Sequence, residues 1–126
     1  MNNEKIVTFK DLIVWQEAHH LVVQIYKTTK SFPKDEQYGL TNQMRRCAVS
    51  ISANIAEGFS RQYYKEKIQF YSMSQGSVTE LQNHLEISLD IDYLVRDSYQ
   101  ALLNQSVLVH KLLTGIIKKS RELLHS

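Results

Sequence analysis

The sequence predicts an all-α protein that folds as an antiparallel up-down-up-down four-helix bundle. Apolar residues recur every three or four positions through four long segments, and no segment alternates apolar and polar residues as a half-buried strand does. The 126 residues include only one Pro and four Gly, which favours long, uninterrupted helices. Short connections between helices of similar length favour antiparallel neighbours. We therefore expect one domain over residues 1–126.

The first helix is predicted over residues 9–31. Thr8 can cap it, and Asp11 three residues later completes a weak capping-box pattern. Pro33 ends it, because proline donates no backbone hydrogen bond and biases the preceding residue away from helical geometry. The apolar stripe of this helix consists of Val14, Trp15, Ala18, Leu21, Val22, Ile25 and Thr29.

The second helix is predicted over residues 34–57. Asp35 and Glu36 suit its first turn, where negative charge meets the positive end of the helix dipole. Gly58 stands where a left-handed C-terminal cap would be needed. The core-facing stripe consists of Leu40, Met44, Cys47, Ile51 and Ile55.

The third and fourth helices are predicted over residues 63–91 and 97–124, and the segment "DIDYLVRD" separates them. Both helices show one apolar face at helical spacing. The third helix contributes Ile68, Tyr71, Val78, Leu81, Leu85 and Leu89. The fourth contributes Leu102, Val109, Leu113, Ile116 and Leu123.

The composition favours an ordinary cytoplasmic protein. Hydrophobic residues make up 43% and charged residues 22%, as in globular domains. Cys47 is the only cysteine, so no internal disulfide is possible and a reducing compartment is expected. The first residues lack the apolar core of a signal peptide, and no run approaches the ~18 apolar residues of a membrane span. A net charge of +2 permits contact with an anionic polymer without requiring it.

The second helix has small side chains on nearly every side. Between Met44 and Gly58 its charges are limited to Arg45, Arg46 and Glu57. One interpretation is a tightly packed core helix in a monomer. The interpretation we favour is a second face that meets another subunit, because small side chains allow close approach. The predicted interface residues are Arg45, Arg46, Val49, Ser52, Ala53 and Ala56.

Three segments carry a resemblance, namely "LIVWQEAHHLVVQIY", "FPKDEQYGLTNQMRRCAVSISANIAEGFSR" and "FYSMSQGSVTEL". Over almost the whole chain the sequence resembles the bacterial four-helix-bundle family named after proteins encoded in intervening sequences of 23S ribosomal RNA genes. The most specific part is Leu40 to Gly58, and "GS" at 76–77 with "EL" at 80–81 adds a second anchor. Such families often have Pro after Ser-Ile, whereas this chain has Ser52, which predicts a less kinked helix.

The resemblance implies a ring-like homo-oligomer, in particular a pentamer. It also implies kinship with the accessory variability protein of diversity-generating retroelements, a basic barrel that binds nucleic acid and a reverse transcriptase. The partners that the resemblance suggests are therefore further copies of this chain, RNA or DNA, and a reverse-transcriptase-like protein.

Catalytic and metal-binding patterns are weak. Glu17 and His20 have the Glu-x-x-His spacing of di-iron bundles, but such sites need two copies, and Glu80 and His84 are four residues apart rather than three. Cys47 lies on a core stripe, where a thiol behaves as a small hydrophobe. The sequence shows no phosphate loop, zinc-protease helix or nucleophile elbow. These patterns predict a non-enzymatic protein without a metal or cofactor.

Basic residues form three groups that can contact phosphates. Tyr63 and Tyr64 lie beside the second group and can stack on unpaired bases. The alternative is that these cations are only solvated, and that the last group complements the dipole of the fourth helix. The three groups are Lys27, Lys30 and Lys34; Arg61, Lys65 and Lys67; and Lys118, Lys119 and Arg121.

Two functions follow from these patterns. The first is a non-enzymatic, oligomeric accessory protein that binds RNA or DNA through repeated basic patches. The second is a protein-interaction scaffold that does not contact nucleic acid and uses exposed tyrosines, since tyrosine is favoured at interfaces. The candidate anchors of the scaffold are Tyr63, Tyr64 and Tyr93.

Overall fold

The computed structural model describes residues 5–126, which contain four α-helices and no strand. Residues 1–4 of the predicted domain lie outside this range. The helices are α1 (Ile13–Thr29), α2 (Leu40–Ser60), α3 (Tyr64–Asp90) and α4 (Arg96–Leu124). Each packs against the next, and α4 packs back on α1, while the backbones of the diagonal pairs do not approach each other. The predicted four-helix bundle is confirmed.

The predicted apolar stripes form the core. Most of their side chains are buried, whereas some are only partly so: Trp15 is half-buried and Leu123 is 38% exposed. Small polar residues complete the core, with the Ser74 hydroxyl donating to the Ile51 carbonyl at 2.7 Å. The fully buried apolar side chains include Leu21, Ile25, Met44, Ile51, Ile55, Val78, Leu81, Leu85, Val109 and Leu113.

The first helix is shorter than the predicted 9–31. The capping box at Thr8 exists, with Asp11 Oδ2 accepting from the Thr8 amide at 2.9 Å, but it caps a 3₁₀ turn over Phe9–Asp11. Leu12 is extended, so α1 begins only at Ile13. At the other end, a tightened turn ahead of Pro33 replaces the last predicted residues, because the Phe32 amide donates to Thr29.

The second helix begins at Leu40, not at residue 34 as predicted. Residues Lys34–Glu36 form a separate 3₁₀ turn. Glu36 then caps α2 from outside, since its Oε1 accepts from the Leu40 amide at 3.1 Å. Its Oε2 accepts from the Tyr93 hydroxyl at 2.8 Å. These bonds, first that from Leu40 and then that from Tyr93, hold the pKa of the Glu36 carboxyl below its usual value.

Gly58 was predicted to cap the second helix. It instead lies inside the helix, and α2 continues to Ser60. None of the glycines within residues 5–126 has a positive φ. The reason for a glycine here is close packing: a Cβ at Gly58 would lie 2.6 Å from Tyr71 Cε1 and 3.1 Å from Phe70 Cβ. Gly58 therefore allows the end of α2 to approach the start of α3.

Substituting Gly58 by Ala should lower the free energy of unfolding by about 1–3 kcal/mol, because the buried Tyr71 ring must move to admit the methyl group. The matched control is Gly115→Ala in α4, where no atom lies within 4 Å of the added Cβ. That control should gain about 0.5–1 kcal/mol from helix propensity. Urea denaturation measures both; equal effects of the two variants would contradict the close-packing argument.

Candidate functional site

The outward side of α2 carries small and apolar residues at helical spacing. We define the outer α2 face by Arg46, Val49, Ala53 and Ala56, which follow one another by three or four positions. Arg46 and Ala53 are exposed, Val49 is 41% exposed and Ala56 is half-buried. Ser52 lies beside this face and donates its hydroxyl to the Val49 carbonyl at 3.1 Å. The predicted interface residues, apart from Arg45, thus lie on or beside one surface of the single chain.

Arg45 and Arg46 have different environments. Arg45 is held against α1: its Nε donates to Thr29 Oγ1 at 2.9 Å, and its Nη2 donates to the Tyr26 carbonyl at 3.4 Å. The guanidinium carbon also lies 4.7 Å from the centre of the Tyr26 ring. Arg45 therefore ties α1 to α2 within one chain. Arg46, one residue later, remains at the surface.

A polar pocket of about 270 Å³ adjoins the outer α2 face and lies between α2 and α3. The hydroxyls of Ser50 and Ser77 are 2.9 Å apart, and Cys47 Sγ donates to the Ser77 carbonyl at 2.9 Å. We call it the α2–α3 pocket; its lining residues are Gln43, Arg46, Cys47, Ser50, Ser77 and Glu80. All six belong to the segments that carry the family resemblance.

Sequence reasoning did not identify this pocket as a site. The signal was nevertheless present, since Gln43, Cys47 and Ser50 follow one another by three or four positions on the α3 side of the second helix. Ser77 and Glu80 have the same spacing on the third helix. The sequence does not show that these two stripes face each other where the second and third helices pack together.

Cys47 is buried in this pocket wall and is 5% exposed. Burial, and secondly the negative charge of the nearby Glu80, raise the pKa of its thiol to about 12. The thiol is consequently protonated throughout the physiological range. This environment is the opposite of the exposed, electropositive one that activates a cysteine nucleophile.

The thiol of Cys47 should therefore react with 5,5′-dithiobis(2-nitrobenzoate) only slowly at pH 8 in the native protein. In denaturant its pKa returns to about 8.5 and reaction should be complete within minutes. The absorbance of the released thiolate at both conditions tests this, with Cys47→Ser as the blank. Rapid stoichiometric reaction of the native protein would show that the thiol is accessible and ionisable.

The histidines and carboxylates do not assemble a metal centre in the described part of the chain. No group of three or more His, Cys, Asp or Glu side chains between residues 5 and 126 is placed to hold a metal ion. Glu17 accepts a hydrogen bond from Gln105 at 2.9 Å, and His20 is exposed. His84 is 7% exposed, with Nε2 3.3 Å from Glu80 Oε2.

The fold brings two of the three basic groups together. Gln75 donates to Thr114 at 2.9 Å and Gln82 donates to Ser106 at 3.0 Å, which fixes the antiparallel register of α3 and α4. Continued along both helices, this register places the first turns of α3 beside the last turns of α4. We call this region the basic end; it comprises Arg61, Tyr63, Tyr64, Lys65, Lys118, Lys119 and Arg121.

The first basic group lies at the opposite end of the bundle. Lys27 and Lys30 are at the end of α1, and Lys34 is in the connection to α2. Because neighbouring helices are antiparallel, this end contains the start of α4, whereas the basic end contains its last turns. The three predicted groups therefore do not form one surface.

Two basic residues of the second group have partners in the chain. Arg61 pairs with Glu57 at 2.9 Å and lies over the Phe70 ring at 4.5 Å. Lys67 donates to the Phe59 carbonyl at 2.7 Å and so caps the end of α2. Partial burial lowers the pKa of Lys67.

The other cations of the basic end are more available. Lys65, Lys118, Lys119 and Arg121 are exposed, and none pairs with a carboxylate in residues 5–126. Tyr63 is 63% exposed beside them. Exposed cations from two helices and an exposed aromatic side chain thus occupy one end of the bundle.

Within residues 5–126 no helix is both long and apolar enough to cross a membrane. A family model described as 23S rRNA-intervening sequence protein matches residues 10–115 of the chain. The fold is also similar to a crystal structure at 1.70 Å of a protein with unknown function from the S23 ribosomal protein family, from Bacteroides thetaiotaomicron VPI-5482. That similarity has a TM-score of 0.79 at 26% identity and covers 86% of this chain and 98% of the other. No curated protein matches the chain.

Proposed function

The chain belongs to the 23S rRNA-intervening sequence protein family, and from that premise we propose that it is a non-enzymatic, homo-oligomeric accessory protein that binds RNA or DNA. The observation that carries the proposal is the convergence of α3 and α4 cations at the basic end. Its lone cysteine, buried and protonated, suits action in the reducing cytoplasm.

The chemistry of the basic end fits a phosphate backbone without base-specific reading. Lys65, Lys118, Lys119 and Arg121 present long cationic side chains, which contact phosphates but carry no sequence information. Tyr63 adds a flat surface on which an unpaired base of any kind can stack. One such patch is small, so useful affinity needs several copies acting together.

The outer α2 face would supply that repetition. Its small residues permit another subunit to approach closely, and the adjoining α2–α3 pocket offers polar partners at its rim. A ring of five copies, the number that the family resemblance implies, would repeat the basic end five times on one side. The affinity of the ring would then exceed that of a single chain.

The double variant Lys118→Glu, Lys119→Glu should weaken binding to a 5′-hydroxyl single-stranded oligonucleotide by about tenfold or more at low salt. Each lost phosphate contact means that fewer counterions are released on binding. The negative slope of log K against log salt should therefore become shallower by about one per contact. Fluorescence anisotropy over a salt series measures both quantities. The control, Lys27→Glu with Lys30→Glu at the opposite end, should bind nearly as the natural chain does; equal losses in the two variants would argue against the basic end.

Replacing Ala53 by Trp should break assembly without unfolding the bundle, because the indole would hold subunits apart at an exposed position. Light-scattering mass after size-exclusion chromatography should fall from a multiple of 14.7 kDa to about that value. Ala101→Trp, at an exposed position of α4, is the matched control and should leave the mass unchanged. An assembled Ala53 variant would remove this face from the contact.

The alternative function is a protein scaffold, for example for a reverse-transcriptase-like partner. It is favoured by tyrosines that protrude from the chain, with Tyr38 at 88% and Tyr63 at 63% exposure. Tyr93 is a weaker anchor than the sequence suggests, since it is half-buried and its hydroxyl donates to Glu36. Pull-down with nuclease treatment separates the two functions, because a protein partner survives the nuclease.

A further inference from the structure

A second pocket lies far from the basic end, where α1 connects to α2. It is open to solvent and has a volume of about 240 Å³. We call it the connection pocket; its lining residues are Thr29, Lys30, Phe32, Pro33, Lys34, Gln37, Thr41 and Arg45. Three of the eight carry a positive charge and none carries a negative charge. The proposed nucleic-acid function makes no use of this pocket.

The carboxylates at this end of the bundle lie outside the lining of the connection pocket. Asp35 and Glu36 belong to the same turn but do not line the pocket. Glu36 is already engaged, because its two carboxylate oxygens accept from the Leu40 amide and the Tyr93 hydroxyl. An anion in the pocket would therefore meet Lys30, Lys34 and Arg45 before any carboxylate.

Arg45 is held in position before any ligand arrives. Its Nε donates to Thr29 Oγ1 and its Nη2 donates to the Tyr26 carbonyl. One face of the guanidinium also lies over the Tyr26 ring. These two bonds leave further N–H donors of the guanidinium unused. A fixed, planar donor group of this kind recognises phosphate oxygens in pairs and loses little rotamer freedom on binding.

The start of α2 adds neutral donors to this wall. Thr41 lines the pocket, is only 7% exposed, and has a buried hydroxyl without a hydrogen-bond partner among the described residues. Such an unpartnered hydroxyl is rare in folded proteins. Thr41 is also the second residue of a 21-residue helix, and at the positive end of that helix Glu36 occupies only the Leu40 amide.

We propose that the connection pocket binds a phosphate monoester, such as the terminal phosphate of a nucleotide. A monoester carries up to two negative charges near neutral pH, which suits three cations better than the single charge of a backbone diester. A phosphate group fills only part of 240 Å³, so the remainder leaves room for the sugar to which it is attached. Lys30, Lys34 and Arg45 bind the phosphate oxygens, and Phe32 and Pro33 contact the apolar side of the ligand.

The test is a titration of the ¹⁵N-labelled protein with inorganic phosphate, AMP and adenosine at low salt. Phosphate and AMP should shift the amide signals of Thr41 and Lys34, whereas adenosine should not. The double variant Lys30→Gln, Lys34→Gln should raise the Kd for AMP about tenfold. Lys10→Gln with Lys111→Gln, at exposed positions outside both the connection pocket and the basic end, should leave that Kd unchanged. Unshifted Thr41 signals, or a Kd indifferent to the Lys30 and Lys34 changes, would overturn the proposal.

A 5′-phosphorylated and a 5′-hydroxyl oligonucleotide of the same sequence distinguish the source of the phosphate. We expect Thr41 to respond only to the phosphorylated strand. An equal response to the 5′-hydroxyl strand would show that the pocket takes backbone diesters and would overturn the assignment to a monoester. Since the 5′-hydroxyl strand also reports binding at the basic end through Lys118 and Lys119, failure of this proposal and failure of the nucleic-acid function give different results.

Discussion

The close contact of α2 with α3 is the constraint on which the rest of the structure depends. Gly58 leaves room for the Tyr71 ring, and Ser74 reaches the Ile51 carbonyl because the two backbones are near each other. The same closeness places Ser50 against Ser77 and forms the α2–α3 pocket. Small side chains on α2 are therefore required on the inner side by α3. On the outer side no other helix of the chain requires small side chains. The small residues of the outer α2 face therefore need a different explanation, such as contact with another subunit.

Local rules were sufficient for the long helices and insufficient at the joints. The third and fourth helices were predicted to within a residue at each end, because their apolar spacing is regular and no proline or cap competes with it. The predicted start of the second helix was wrong because Glu36 caps this helix from a preceding turn. Glu36 is itself held by Tyr93, 57 positions away in sequence. The prediction that Gly58 caps the second helix was wrong for a similar reason. The glycine is required by its contact with a ring on another helix and not by its own backbone conformation.

The candidate sites show the same division. The sequence identified the basic groups, but only the register of Gln75 with Thr114 and of Gln82 with Ser106 shows that two of them meet and one does not. Arg45 and Arg46 are equivalent in the sequence, yet successive residues point roughly 100° apart around a helix. One guanidinium consequently binds α1 and the other faces outward. Neither pocket was predicted, since each depends on how closely two parts of the chain approach each other in space.

The segregation of charge also gives the bundle an electrostatic direction. The basic end and the turns beside it hold more cations than carboxylates, namely Lys10, Arg61, Lys65, Lys67, Lys118, Lys119 and Arg121 with Asp11, Glu57, Glu66 and Glu122. The opposite end has no such excess, since it holds Lys27, Lys30, Lys34, Arg45 and Arg96 with Asp35, Glu36, Glu86, Asp90, Asp92 and Asp97. The molecule is thus an electric dipole whose moment runs along its long axis. Subunits placed side by side in the same sense would add their moments, and the assembly would have two chemically unlike faces. Such a particle would turn one face toward a polyanion from a distance, before any contact forms.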